Sequence, residues 1–217
     1  MAQMEARQRR LDSIDVSDPR LYQDDAWREP FAELRREDPV HYCEASAFGP
    51  YWSVTRYDDI IAVELDHENY SSSSELGGIQ IADQPKGLQR PNFIRMDPPG
   101  HTAQRRTVAP IVAPSNLVNL EGLIRRRTCD VLDALPRNEV FDWVERVSTE
   151  LTNMMLVTLF GAGIHRCVGD RLAEQQLRIL WEEILQRDLR FEIAGPPQRL
   201  YSNFIRGIRS LPVRIVN

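Results

Sequence analysis

The sequence predicts a mainly α protein with a small β part, on three observations. Apolar residues recur at three- and four-residue spacing in stretches that begin near residues 115, 143 and 170. β-Branched and aromatic runs are short and occur near residues 40–55 and after residue 189. The 217 residues are 42% hydrophobic and 27% charged, a globular composition that excludes collagen-like and wholly disordered classes.

The first elements are a short helix, a hairpin and a second helix. Pro30 suits the first position of a helix, where its missing N–H costs nothing. Residues 40–43 and 51–55 flank a Gly-Pro pair and predict a β-hairpin. A helix is expected to follow from Asp58.

Residues 70–96 are rich in serine, glycine and proline, and they are too numerous for a simple connector. They predict a binding loop or a lid. Asp97 then suits the N-cap of a helix over about residues 100–112, with Pro98 in its first turn.

Three further helices and a set of short C-terminal strands complete the predicted fold. Ser115 is expected to cap the first helix, and a second resumes near Trp143. The third follows Cys167, and its helical spacing predicts an amphipathic helix. The apolar side of that helix carries Ala173, Leu177, Leu180, Trp181 and Ile184.

Charge and cysteine content restrict the class of function. A net charge of −5 argues against a nucleic-acid partner, because phosphate binding needs clustered Lys and Arg. The three cysteines are sparse and odd in number, which predicts no disulfide framework and a cytoplasmic location. The N-terminal residues have no apolar signal region, and the longest nearly apolar run, residues 154–164, is about half the ~20 residues of a membrane span.

Residues 160–169, FGAGIHRCVG, are the stretch richest in chemistry. Cys167 precedes a predicted helix, whose free N–H groups and dipole favour the thiolate form. Gly161, Gly163 and Gly169 allow the backbone to approach a large flat partner, and Phe160 can cover the sulfur side. A buried, metal-bound thiolate needs these features.

Two other interpretations of Cys167 are open on the residues alone. It can be a small buried hydrophobe, or a zinc ligand paired with His165, although His-x-Cys is not a usual zinc spacing. For Cys43, in the predicted hairpin, and Cys129, in the helix after Ser115, a structural role is the simpler interpretation.

The stretch resembles the haem-ligand loop of the cytochrome P450 family, Phe-x-x-Gly-x-Arg/His-x-Cys-x-Gly. The resemblance implies that Cys167 is the thiolate ligand of the iron of haem b. It also implies that Phe160, Gly161 and Gly169 lie at the cofactor.

A second match lies in residues 96–106. His101 and Arg105 are i and i+4 on one helix face, where two cations invite an anion between them. In the family a His-x-x-x-Arg pair of this kind binds the haem propionates, and His165 occupies the loop position that does the same. A solvated basic face is the alternative for this pair.

The resemblance covers nearly the whole chain and is greatest to bacterial enzymes that hydroxylate terminal carbons of alkanes and fatty acids. It implies a monooxygenase that inserts one atom of O₂ into a C–H bond of a small apolar substrate. Electrons would come from a ferredoxin-type donor that docks near Arg106, Arg166 and Arg171.

The chain departs from the family pattern in its length. Family members are roughly twice as long, and the central helix with its acid–alcohol pair and the later Glu-x-x-Arg helix are missing from this sequence. We therefore expect a partial cytochrome P450 fold lacking the central helices, with residues 1–159 and 160–217 forming one discontinuous domain. The alternatives are a truncated haem-binding or inactive fragment without turnover, and a helical interaction protein with a vestigial cysteine loop.

Overall fold

The computed structural model describes residues 2–82, 92–152, 165 and 167–217. The chain divides into two compact units. The first contains residues 1–102, 162–165 and 199–207, and the second contains residues 103–161, 166–198 and 208–217. Helices predominate over short strands, so the predicted mainly α class with a small β part is confirmed. The prediction of one discontinuous domain stays a prediction.

The first unit begins with helices around a β-hairpin. Strands β1 (Val40–Cys43) and β2 (Tyr51–Val54) pair antiparallel, with Val40 opposite Val54 and Cys43 opposite Tyr51. The predicted hairpin is therefore confirmed. The helices are α1 (Ala2–Asp12), α2 (Pro19–Gln23), α3 (Arg28–Glu37) and α4 (Tyr57–Leu65).

A small core and one polar cluster hold the start of this unit together. Leu11 and Leu34 are buried there. The Tyr51 hydroxyl donates to the Asp15 carboxylate at 2.7 Å and accepts from the Ser17 N–H at 2.9 Å. Burial and the hydrogen bond to Asp15 raise the pKa of Tyr51, so this phenol stays a donor and ties the segment after α1 to the hairpin.

The described parts of the long loop contain two 3₁₀ turns, Ser74–Leu76 and Phe93–Arg95. Helix α5 (Gly100–Val108) follows, and a 3₁₀ turn continues it over Ala109–Val112. The α-helix ends before the predicted residue 112 because Pro110 has no N–H to donate.

Asp97 does not cap α5 as predicted. Its carboxylate accepts from the Ser71 hydroxyl and, at 3.1 Å, from the Ser72 N–H. These two donors come from the beginning of the long loop, so a loop contact replaces the expected local cap.

The second unit is built on two long helices, α6 (Pro114–Asp133) and α8 (Asp170–Gln186), which pack against each other. The prediction that Ser115 caps α6 is wrong. Ala113 is the N-cap and Pro114 is the first residue, because proline already has a helical φ and lacks an N–H that would go unbonded.

Short elements continue the chain around these helices. The stretch that resumes near Trp143 is a π-helical segment over Val144–Thr149, followed by α7 (Glu150–Thr152). The rest of the predicted helix, beyond Thr152, lies outside the described residues. The strands are β3 (Val140–Asp142), β4 (Phe191–Ile193), β5 (Gln198–Arg199), β6 (Ile208–Ser210) and β7 (Pro212–Ile215).

Strand β7 is the central strand of a three-stranded sheet. It pairs antiparallel with β3 on one side and with β4 on the other. The core of the unit surrounds this sheet and the C-terminal ends of α6 and α8. Its buried residues are Leu132, Leu135, Phe141, Val147, Ile184, Leu189, Val213 and Ile215.

The amphipathic helix predicted after Cys167 is confirmed as α8, but its buried side differs from its apolar side. Ile179 is fully buried, whereas Leu177 is 48% and Trp181 is 60% exposed. Two polar residues, Gln175 and Glu183, are buried instead, because α6 supplies their hydrogen-bond partners.

No helix in the described ranges combines the length and apolar character needed to cross a bilayer.

Candidate functional site

Cys167 lies directly before α8 in the second unit. Gly169 is the N-cap of this 17-residue helix and makes no side-chain cap. The Asp170 N–H reaches the Cys167 carbonyl at 3.4 Å, and the Ala173 N–H donates to the Gly169 carbonyl at 3.0 Å. The local chain therefore turns from the cysteine straight into the helix, whose N-terminal end carries positive partial charge near the thiol.

Gly169 lies close to the sulfur of Cys167. A Cβ added at Gly169 would lie 3.9 Å from the Cys167 Sγ, and among the described residues beyond its chain neighbours it would meet no other atom within 4 Å. Cys167 itself is partly exposed. Any larger residue at position 169 would extend alongside the sulfur, so glycine preserves access for a flat group.

Cys167 can act as a single metal ligand from the protein. Within the described residues, no group of three or more His, Cys, Asp or Glu side chains could hold a metal ion. A haem would need only one such ligand from the protein. The thiol at the start of α8 fits that requirement.

The predicted propionate ligands His101 and His165 lie together in the first unit. Their ring centroids are 4.7 Å apart with an interplanar angle of 63°. His101 is 2% exposed on α5, and His165 is half-buried. The Phe93 ring, from the long loop, lies 6.1 Å from the His101 ring.

Asp97 adds a negative charge to this histidine pair. Burial raises its pKa, but hydrogen bonds from Ser71 and Ser72 and the charges of His165 and His67 outweigh burial, so the pKa of Asp97 is lowered. The carboxylate of Asp97 therefore interacts electrostatically with His165, one of the predicted propionate ligands.

The neighbourhood of Asp97 and Phe93 was not predicted as part of the site. Asp97 was expected only as a helix cap, and residues 70–96, which include Phe93, only as a binding loop or a lid. The Ser-rich start of the loop was the available signal, since serines are suited to bind a carboxylate. Nothing in the sequence indicates that residues 71 and 97 meet.

The remaining predicted residues have different positions. Arg105 is half-buried on α5 one turn after His101, so helix geometry directs both side chains to one edge of α5. Phe160 and Gly161 lie outside the described residues. The structure thus brings together His101 with His165, and Cys167 with Gly169.

Comparison with known proteins identifies relatives for this chain. No family model matches it. Linalool 8-monooxygenase of Pseudomonas putida is 34% identical over 159 residues, which are 70% of this chain and 39% of that protein. A putative cytochrome P450 126 of Mycobacterium tuberculosis is 32% identical over 159 residues, 70% of this chain and 38% of the relative. The chain thus spans about two fifths of the length of these curated relatives.

Solved structures resemble the chain over most of its length. Cytochrome P450-153 from Novosphingobium aromaticivorans matches with a TM-score of 0.87 and 26% identity, covering 93% of this chain and 99% of the other. CYP153D17 from a Sphingomonas species matches with a TM-score of 0.86 and 26% identity, covering 94% and 99%.

Together, a helical fold, a cysteine at the start of a long helix and these matches define a haem-thiolate class of protein. The chain belongs to the cytochrome P450 family. Haem b is the cofactor of that family.

Proposed function

We propose that the chain carries the haem site of a haem-thiolate monooxygenase and that Cys167 is the protein ligand of the iron. The observation that carries this proposal is the position of Cys167, at the start of α8 with the side-chain-free Gly169 close to its sulfur. The N-terminal end of α8 also places positive partial charge near the sulfur. Phe160 and Gly161 are assigned to the cofactor on the loop motif alone.

His101, Arg105 and His165 are proposed to hold the haem propionates. The close pairing of the two imidazoles supports this role, and so does the negative charge of Asp97 beside His165. Charge-assisted hydrogen bonds from imidazolium and guanidinium groups to carboxylates are about twice as strong as neutral ones. These residues would set the orientation of the cofactor and contribute to its retention.

When bound, the haem supplies the activation of O₂ and the insertion of one oxygen atom into a C–H bond. We propose a fatty acid or an alkane as the substrate, because the resemblance to terminal-carbon hydroxylases covers nearly the whole chain. Apolar side chains of the long loop support an apolar substrate. Ile79, Ile81 and Ile94 are 37%, 38% and 45% exposed, so each has apolar surface available for contact.

We propose a ferredoxin-type electron donor for this reaction. Arg106 and Arg171 are exposed basic residues of the second unit, as expected of a surface that binds an acidic protein. Arg166, the third residue of the predicted docking surface, lies outside the described residues. The sparse cysteine content supports a reducing, cytoplasmic location.

A second candidate is a haem-binding chain without turnover. It is favoured by the extent of the curated relatives, of which this chain spans 39% and 38%. Proton delivery and water exclusion are needed for oxygen activation. In the family pattern these tasks belong to the central helix that this sequence lacks.

The ligand assignment is tested by the carbon monoxide difference spectrum of the reduced, purified chain. Cys167→Ala is expected to abolish the thiolate band, whereas Cys43→Ala and Cys129→Ala retain it. A band that survives in Cys167→Ala and disappears in either control would overturn the assignment.

The propionate assignment is tested by the rate of haem release. The double variant His101→Gln and Arg105→Gln is expected to lose haem at least about tenfold faster, because two charge-assisted hydrogen bonds are lost. The thiolate band should not move. Arg126→Gln, at an exposed position of α6, is the matched control, and equal release rates in the double variant and this control would contradict the role.

Turnover separates the two candidate functions. Purified haem-loaded chain is supplied with a ferredoxin, its reductase, NADH and a medium-chain fatty acid. We expect haem binding with little hydroxylated product from these 217 residues. Product formed in proportion to NADH consumption would establish the full monooxygenase activity and exclude the second candidate.

A further inference from the structure

A buried histidine of the first unit contacts separate parts of the chain. His41, the second residue of β1, is 1% exposed. Its Nδ1 lies 2.8 Å from a carboxylate oxygen of Asp38, and its Nε2 lies 3.2 Å from the backbone carbonyl oxygen of Ile14. Asp38 follows α3 and Ile14 follows α1, so one imidazole joins the hairpin to the ends of two helices. No role in the haem site involves this residue.

The two atoms that face the ring nitrogens of His41 are both hydrogen-bond acceptors. A backbone carbonyl only accepts, so Nε2 must carry a proton. An ionised carboxylate also only accepts, so Nδ1 needs a proton too, which makes the ring an imidazolium. If that proton lies on Asp38 instead, the carboxyl group donates to Nδ1. In either arrangement the pair of His41 and Asp38 holds one proton more than a neutral imidazole beside a carboxylate.

The other charged groups of the elements around this ring have different partners or face solvent. The contacts are Arg10 with Glu33, Arg36 with Glu37, Arg28 with Asp25, and Asp15 with the Tyr51 hydroxyl. The exposed charged residues of α1 and α3 include Glu5, Arg9, Asp12, Glu29 and Arg35. Among the described residues, no other group donates to the Asp38 carboxylate or to the Ile14 carbonyl, so both depend on the ring.

We propose that His41 and Asp38 form a proton-dependent clasp, which fastens the segment after α1 to the hairpin while the extra proton is bound. An imidazole without that proton presents a lone pair to one of its two acceptors. The acceptor then loses its hydrogen bond at a place that water does not reach, which is costly. The clasp therefore loosens as the pH rises.

The direction of this pH dependence follows from where the proton is bound. A histidine in an unfolded chain loses its proton at about pH 6.5, whereas the folded pair of His41 and Asp38 retains the proton to a higher pH. Above that value the folded state binds more protons than the unfolded state. The contribution of the clasp to stability is therefore complete below about pH 6, and it is lost by about tenfold per pH unit above it until the folded pair also releases its proton.

Urea unfolding of the full chain between about pH 5.5 and 9 tests this dependence. The unfolding constant of the wild type, relative to that of His41→Gln, should rise at least about tenfold over this interval. In an Asp38→Asn background the same ratio should be independent of pH, because the amide can donate to a neutral imidazole. Asp24→Asn, at an exposed position, is the matched control and should leave the pH dependence unchanged.

NMR spectra of the wild type test the clasp even if His41→Gln fails to fold. The ring ¹⁵N shifts of His41 and the carboxyl ¹³C shift of Asp38 should together report two protons on the pair, about one pH unit above the value for unfolded histidine. A single proton on the pair would overturn the proposal. A ratio that is constant with pH, or that still changes in the Asp38→Asn background, would overturn it as well. His101 and His165 are present in every variant, so their ionisation cancels in the ratio.

Discussion

The two faces of helix α8 differ in their contacts and in their exposure to water. The side that faces α6 buries Glu183, which accepts hydrogen bonds from Arg125 at 2.7 Å, from Arg187, and from the Cys129 thiol at 3.2 Å. The opposite side leaves Trp181 60% and Leu185 75% exposed. A charged residue is thus buried while large apolar residues of the same helix are exposed to water. Burial in α8 therefore depends more on the available hydrogen-bond partners than on the hydropathy of the side chain.

The largest expected effect comes from breaking the buried side. Glu183→Leu removes the acceptor shared by two guanidinium groups, and we expect a loss of about 2 kcal/mol in the free energy of unfolding. Both arginines are partly exposed, at 31% and 22%, so water limits the loss. Urea unfolding measures it, with Glu139→Leu, at an exposed position, as the control within about 0.5 kcal/mol. Equal losses in the two variants would mean that Glu183 adds nothing to the helix contact.

The pH dependence of the same contact sharpens the comparison. Hydrogen bonds from Arg125, then from Arg187, outweigh burial and lower the pKa of Glu183 from 4.5 to about 2. A lowered folded-state pKa contributes stability above the unfolded value, and that contribution is lost as the pH falls towards the folded value. The stability difference between the wild type and Glu183→Gln should therefore be constant from pH 7 to about 5 and shrink between about pH 5 and 2. A difference that does not change with pH would show that the carboxylate charge is irrelevant.

The smallest expected effect on stability comes from the exposed side. The double variant Trp181→Gln and Leu185→Gln replaces two side chains that are mostly exposed to water. The free energy of unfolding should therefore change by less than about 0.5 kcal/mol. Self-association at high protein concentration should decrease, because exposed apolar patches favour contacts between copies. Sedimentation velocity measures the association and urea unfolding the stability. A loss as large as that of Glu183→Leu would place these side chains in the core.

Local patterns predicted the elements whose determinants lie close together in sequence. The hairpin of β1 and β2 and helix α8 each depend on residues within about fifteen positions of one another. The same is true of the position of Gly169 close to Cys167. Strand β3 was missed, because its three residues form a strand only by pairing with β7, about seventy positions later.

The same reasoning applies to the candidate site. The His-x-x-x-Arg motif and the cysteine loop were each visible as short motifs. The contact of Asp97 with Ser71 depends on the path of a loop between them, which no local rule specifies. The burial of Glu183 likewise depends on Arg125, 58 positions away.

Strand β7 has a consequence for the order in which the second unit acquires structure during synthesis. Residues 140–142 and 191–193 are its two neighbours, and they make no ladder with each other. Strands β3 and β4 can therefore pair with β7 only after residue 215 has left the ribosome. Until then, Phe141 and Leu189 are not covered by Val213 and Ile215, which belong to the same core in the folded unit. Nascent chains that stall before this point expose apolar segments and are the form in which chaperones would be most needed.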